Sequence, residues 1–343
     1  MTDRGVNAPS DYAILKRRVR EAGLLEKQPG YYLRLIAVNL VLLAGCCVVL
    51  ARVRNPGVQA ADGIVLGLVC GQLGFQLHDA GHNQMFGRRW KNTLVAFLTA
   101  DVLLGVSYGW WVRKHNQHHA NPNHLDLDPD VNNPAIAYTP EQAAARRGPL
   151  RLIARYQAFS FFPLTCLLSW SMHAASGRFL ARQPSRHRWV EVATLSAHWL
   201  LYLGLLTYFL GPWSALIVVL LQKAVSGFYL ATVFAPNHKG MLQVDASSDL
   251  DFLRGQVLTS RNIRARPTTD LWYGALNYQI EHHLFPTMAR NNIPRAQRIV
   301  REYCAEIGVS YHETSLLRSY RELLQFLHEI GAPLRKPVPT VVS

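Results

Sequence analysis

Four long apolar runs limit what this chain can fold into. Leu33 to Ala51, apolar but for Arg34 at its edge and Asn39, is separated from Gly63 to Leu77 by an Asn55-Pro56-Gly57 turn. Val192 to Leu210 and Pro212 to Val233 meet at Gly211-Pro212, and Lys223 is the one charge inside the last run. A helix of about 19 residues covers a hydrocarbon core of roughly 30 Å. In lipid, only helices and closed barrels satisfy their own backbone. The pattern therefore predicts an all-α membrane protein with four transmembrane helices in two hairpins, rather than a pair of soluble domains.

Two shorter apolar runs, Leu94 to Trp111 around Asp101 and Phe159 to Met172 around Pro163, are expected to lie at or partly within the membrane surface. A lone span would have to shelter the acid, and the motifs flanking each run need to share one face. The formal net charge is +14, and its distribution sets the orientation. Lys16, Arg17, Arg18, Arg20 and Lys27 precede the first run; Arg178, Arg182, Arg186 and Arg188 precede the third. By the positive-inside rule both segments are cytoplasmic, and so are His78 to His119 and the chain from His238 onward. Arg52 and Arg54 oppose the rule but are outnumbered. The basic surface suits anionic lipid headgroups, and beyond them an acidic electron donor or a phosphate-bearing substrate handle; nucleic acid is not expected. Five cysteines without a Cys-x-x-Cys pair suggest neither a disulfide frame nor an iron–sulfur cluster. With about thirty mostly polar residues ahead of it, the first run reads as an uncleaved signal-anchor.

Three histidine-rich stretches concentrate the chemistry: His78-Asp79-Ala80-Gly81-His82, His115-Asn116-Gln117-His118-His119 and Gln279-Ile280-Glu281-His282-His283. Residues three and four apart project from one helix face, so each stretch aims two or three ligand-type groups at one point. Neutral imidazole is the commonest protein ligand for transition metals. His78, His82, His115, His118, His119, His282 and His283 exceed what a mononuclear site uses, so two metal ions are expected. His238, at the end of the last run, is expected to join them. Asp79 and Glu281 are candidate acceptors for ring N–H groups, with Asn237 and Gln279 as further supporting residues.

Other polar residues read as structural. Asp126, Asp128 and Asp130 lack the glycine and terminal glutamate of a calcium loop, so a solvated acidic turn is expected. His124, His173, His187, His198, His312 and His328 have no patterned partners. Ser10 or Asp11 is expected to start an interfacial helix reaching about Leu25, Pro122 to end the helix of the second box, and Pro236 to break the last span. One charged surface helix is expected over Thr139 to Arg155. Amphipathic helices follow over Pro294 to Ile307 and His312 to Ile330, ended by Gly308 and Gly331.

With HDAGH, HNQHH and QIEHHLFP at these spacings, the chain from about Leu77 to Pro286 resembles the membrane fatty acid desaturases. The glutamine heading the third box resembles the branch that includes front-end and linoleoyl-CoA-type enzymes. The resemblance implies a non-haem di-iron centre, two Fe ions passing between Fe2+ and Fe3+, with O2 as co-substrate. The seven box histidines would be catalytic metal ligands, His238 an additional ligand, and Gln279 a neighbour of the metal. A cytoplasmic helical cap would carry the site. The implied organisation is a cytoplasmic segment at 1–32, a desaturase domain at 33–286 with hairpins at about 33–77 and 190–234, cytoplasmic helices at 287–331 and a flexible tail at 332–343. Many front-end relatives carry a fused cytochrome b5 domain with a His-Pro-Gly-Gly motif. That motif is missing from this sequence, so a separate donor is expected: a ferredoxin, cytochrome b5 or a reductase.

The expected reaction inserts a cis double bond into a fatty acyl chain carried on coenzyme A or a lipid, with Trp110, Trp111 and Tyr278 lining its tunnel. A hydroxylase, conjugase or carotenoid-modifying oxygenase on the same frame is the nearest alternative. A histidine-rich metal transporter or membrane zinc hydrolase is the alternative of another class, disfavoured by the few polar residues within the spans.

Overall fold

A computed structural model describes residues 9–183 and 187–335. Arg186 and residues 336–343 of the expected tail lie outside the described residues. In chain order the helices are α1 (Asp11–Glu21), α2 (Pro29–Arg52), α3 (Pro56–Gly81), α4 (Arg89–Phe97), α5 (Tyr108–Ala120), α6 (Pro140–Ala145), α7 (Gly148–Arg155), α8 (Gln157–Thr165) and α9 (Leu168–Arg182). They continue with α10 (Arg188–Leu210), α11 (Pro212–His238), α12 (Phe252–Leu258), α13 (Pro267–Tyr273), α14 (Gln279–Leu284), α15 (Ile293–Glu306) and α16 (Leu316–Ile330). Two short parallel strands, β1 (Asn262–Ile263) and β2 (Glu313–Thr314), pair in the register Asn262 to Glu313.

Among the described residues, α2, α3, α10 and α11 are long and apolar enough to cross a membrane. Their outward faces are those of lipid-facing helices: Val41 is 70%, Leu200 75% and Tyr208 80% exposed, far from what a water-facing surface tolerates in one belt. The two inner helices pack through glycine. Gly63, Gly67 and Gly71 recur every four residues on α3 and meet Val218, Gln222 with Val225, and Tyr229 of α11. A Cβ on Gly67 would come within 2.8 Å of the Val225 Cβ, so small residues set the close approach of these helices.

The run Leu94 to Trp111 is a bent pair rather than one rod. α4 passes into a π-helical turn, Leu98–Leu104, and Gly105 at φ 70° reverses the chain before α5, with 116° between the two arms. Two buried acids and the Ser107 cap stabilise the new start: Tyr108 N donates to Asp101 Oδ2 at 3.0 Å, Gly109 N to Glu191 Oε2 at 3.2 Å, and Trp110 N to Ser107 Oγ at 3.0 Å. These acceptors satisfy backbone donors that the first turn of a helix leaves unpaired, and α5 is the helix that carries the second histidine box.

Several expectations change. Pro236 does not break α11, which continues to His238. Proline lacks the N–H that would bond the Thr232 carbonyl, but the hydroxyls of Tyr273 and Tyr320 donate to that oxygen at 3.1 and 3.0 Å instead. The helix expected over Thr139 to Arg155 divides into α6 and α7, with Gly148 at φ 54° beginning the second. α1 starts at Ser10, whose hydroxyl accepts from Ala13 N. Its apolar face is covered by protein: Leu15 and Val19 are buried with Leu253, Leu284, Val300 and Tyr303 of α12, α14 and α15. The expected tail begins as a 3-10 turn, Ala332–Leu334, where Arg335 donates to the carbonyls of Arg155 and His328 at 2.8 and 2.6 Å.

Candidate metal centre

α3 and α11 end side by side, α5 starts from the buried acid cap, and α14 is held beneath the C-terminal helices. Their polar ends bring eight histidines into two touching clusters. Nitrogens of His78, His82, His115, His119 and His282 lie within 4.8 Å of one another, and so do those of His118, His238 and His283. In the larger cluster the Nε2 atoms of His78 and His282 are 3.0 Å apart, His82 and His115 2.8 Å, His115 and His119 3.1 Å, and His119 and His282 3.1 Å. The clusters join where the rings of His119 and His283 stack at 4.2 Å.

The paired histidines explain the motif. Neighbours on a helix diverge by about 100°, so His118 and His119 address different clusters, as do His282 and His283. Each dipeptide serves both groups from one backbone position.

Outer hydrogen bonds fix several rings. His78 Nδ1 donates to Asp79 Oδ1 at 3.1 Å, His118 Nδ1 to Asp128 Oδ2 at 3.0 Å, His238 Nδ1 to Thr259 O at 3.1 Å and His283 Nδ1 to Gln256 Oε1 at 2.8 Å. Such acceptors set the tautomer and leave Nε2 unprotonated, the form in which a ring can bind a metal. Burial, followed by neighbouring imidazoles, holds His82, His282 and His283 well below the usual imidazole range, so these rings are neutral. Five neutral nitrogens converging at about 3 Å have too few protons to satisfy one another. Two atoms each about 2.1 Å from one ion and at right angles are about 3.0 Å apart, so a metal cation fits the larger cluster. His283 Nε2, buried without a partner, leaves the same opening in the smaller one.

The supporting residues divide. Asp79 also accepts from Arg290 Nε at 2.7 Å, in an ion pair that brings Arg290 Nη2 to 2.7 Å as well. Asn237 Nδ2 donates to Gln279 Oε1 at 3.0 Å, and Gln279 Nε2 lies 2.9 Å from His238 Nε2, at the smaller cluster. Glu281 is not a ring acceptor: it receives Asn262 Nδ2 at 2.6 Å and the Tyr311 hydroxyl at 2.8 Å, because its helix position faces away from His282. Burial, opposed by those two donors, pushes its carboxyl up to about 7. The solvated acidic turn is corrected as well. Asp128 is 2% exposed, and besides His118 it accepts Asn123 N at 2.8 Å and Asp130 N at 2.9 Å; Asp130 pairs with Lys114. Asp126 alone of the three stays exposed. Gln256 carries no motif and escapes sequence reasoning, whereas Asp128, ten residues after His118 in an alternating acidic run, gave a signal open to this reading.

A family model for fatty acid desaturases matches residues 57–315. The chain belongs to the fatty acid desaturase family. This desaturase-family chain is 31% identical over 333 residues to an acyl-lipid (9-3)-desaturase of Physcomitrium patens, covering 94% of the chain but 62% of that protein. It is 31% identical to a Delta(5) fatty acid desaturase of Caenorhabditis elegans, covering 98% of the chain and 77% of that relative. A Delta(6)-fatty-acid desaturase of the same organism is 29% identical over 92% of the chain and 74% of that protein. Likeness of about 30% over most of the chain supports a membrane acyl desaturase function.

A cavity of about 960 Å³ opens beside the clusters, lined by His78, His115, His118 and His238 and extending to Leu50, Leu66 and Leu206 between the spans. Trp110 and Trp111 line it. Tyr278 does not: it is buried among residues of α1, α12, α14 and α15, its hydroxyl 3.4 Å from Asp270.

Proposed function

We propose that this protein is a non-haem di-iron, O2-dependent desaturase that inserts a cis double bond into a fatty acyl chain, taking electrons from a separate donor. The observation that carries this reading is the meeting of eight imidazoles, six buried and His115 and His119 half-buried, in two touching clusters at the wall of a cavity sized for an acyl chain. His78, His82, His115, His119 and His282 would hold one ion and His118, His238 and His283 the other, with Asp79, Asp128, Asn237 and Gln279 fixing them. When bound, the irons would supply the O2-derived oxidant that an unactivated methylene pair requires and no side chain can provide. Overall, the chain loses two hydrogens, the donor gives two electrons, two protons are taken up and O2 leaves as two waters. The protein's own residues hold the rings and keep the chain against them, and Trp111, stacked on His115 at 4.5 Å, braces that ring at the cavity wall.

In this reading the four long helices form two hairpins, and the basic N-terminal and pre-α10 segments support a cytoplasmic orientation for the clusters and the cap. The acyl carrier is coenzyme A or a lipid. Expression in a host of known lipid composition, followed by mapping of double bonds, tests the reading. New cis alkenes that vanish in a His118→Ala variant are expected. Oxygen-18 from labelled O2 appearing in the lipid would identify a hydroxylase instead, and zinc without iron in the purified protein would reject the redox reading.

A further inference from the structure

The cavity is not apolar along its whole depth. Between the clusters and the leucine-lined end, its wall carries His173, His198, Tyr202, Gln222 and Lys223 from α9, α10 and α11. Lys223 is 3% exposed and lies in a helix long enough to cross the membrane. Among the described residues its Nζ has no ion-pair or hydrogen-bond partner. Two ring faces approach it, Trp199 at 5.0 Å and Tyr202 at 5.2 Å from Nζ to the centroids. The neighbouring imidazoles are fixed on their outer sides: His173 Nδ1 donates to Gly105 O at 2.9 Å and His198 Nδ1 to Val102 O at 2.8 Å. Their Nε2 atoms are buried and unpartnered. The Tyr202 hydroxyl is occupied by Gln222 Oε1 at 3.1 Å, which leaves Lys223 as the belt's free cation.

An ammonium buried without a counter-ion carries a large desolvation cost, and aromatic faces offset part of it. A saturated tail sliding past would remove the remaining solvent and give nothing back. A π bond or an oxygen on the chain would act as a third electron-rich face. We infer that Lys223 is a specificity-determining residue that reads an electron-rich group on the acyl chain, remote from the reacting carbons, while the pocket beyond receives the rest of the tail. Along the helices, Cys70 on the same cavity wall is about 12 Å from His78 and Lys223 about 22 Å from His238. The span along α11 puts the group read well away from the bond formed. The inference rests on the desaturase reading for the identity of the ligand.

The test is competition binding to purified full-length protein in nanodiscs, displacing a labelled saturated acyl ligand. Three chains of one length on one carrier are compared: saturated, with a cis double bond at belt depth, and with a hydroxyl there. Wild-type protein is expected to bind one of the two electron-rich chains roughly 2- to 30-fold more tightly than the saturated chain, and the arm that wins identifies the group. Lys223→Met is expected to abolish the preference and Lys223→Arg to keep it; Lys223→Gln replaces the methionine variant if that one does not fold. No preference in wild type, or an equal preference without the cation, overturns the inference. Because binding is read apart from turnover, a protein that discriminates but desaturates nothing would fail the reading of its function and leave the role of Lys223 standing.

Discussion

His282 stands where three rings of the larger cluster converge, its Nε2 near those of both His78 and His119. Its replacement by alanine is expected to remove metal and turnover together, measured as bound iron per chain and as new double bonds. His124→Ala is expected to change neither, since that ring accepts Asp126 N at 3.2 Å and belongs to neither cluster. Asp128→Asn keeps the shape but supplies an amide where His118 needs a carboxylate. Loss of such an outer partner weakens metal affinity by roughly 10- to 100-fold, and titration with Fe2+ under anaerobic conditions reads this directly. These residues also show what a sequence can convey at this scale. The histidines were legible because their three- and four-residue spacing is a property of one helix face. Gln256, Thr259 and Arg290 were not, because they reach the site through tertiary contacts that no local spacing records.

At the scale of elements, the apolar runs located all four long helices, and the glycines on α3 decide how closely two of them pack. Gly67→Val would press branched carbons into Val225 and Gln222. A destabilisation of about 1–3 kcal/mol is expected for such overpacking, seen as a lower thermal midpoint in detergent and a smaller yield of assembled protein. The continuation of α11 through Pro236 was illegible for a definite reason. Proline reads locally as a break, and the two tyrosine hydroxyls that replace its missing donor come from α13 and α16. Replacing both Tyr273 and Tyr320 by phenylalanine leaves the Thr232 carbonyl buried and unpaired, at a cost of about 1–3 kcal/mol. His238 is two residues beyond Pro236, so the double variant is also expected to lose metal from the smaller cluster before the larger one, resolved by the metal-to-chain ratio.

For the whole molecule, the proposed orientation puts the two short hairpin turns on one side of the bilayer and both clusters on the other. Arg54 in the first turn reaches Phe209 O beside the second, so the turns share an end. A cysteine at Ser248 is expected to react with a membrane-impermeant maleimide only when the cytoplasmic face is open, and one at Asn55 only from the opposite side; the reverse pattern would invert the topology. The Tyr12 hydroxyl of α1 donates to Leu284 O at 3.0 Å, directly after His283, and Arg18 pairs with Glu306 at 2.8 Å. A helix that precedes the first box is thus the clasp on proposed ligands that follow it by more than 260 residues in the sequence. During translation His78, His82, His115 and His119 leave the ribosome long before His282 completes their group, so a nascent chain holds an unfinished basket, and on the proposed reading secure loading with metal must await the release of α14.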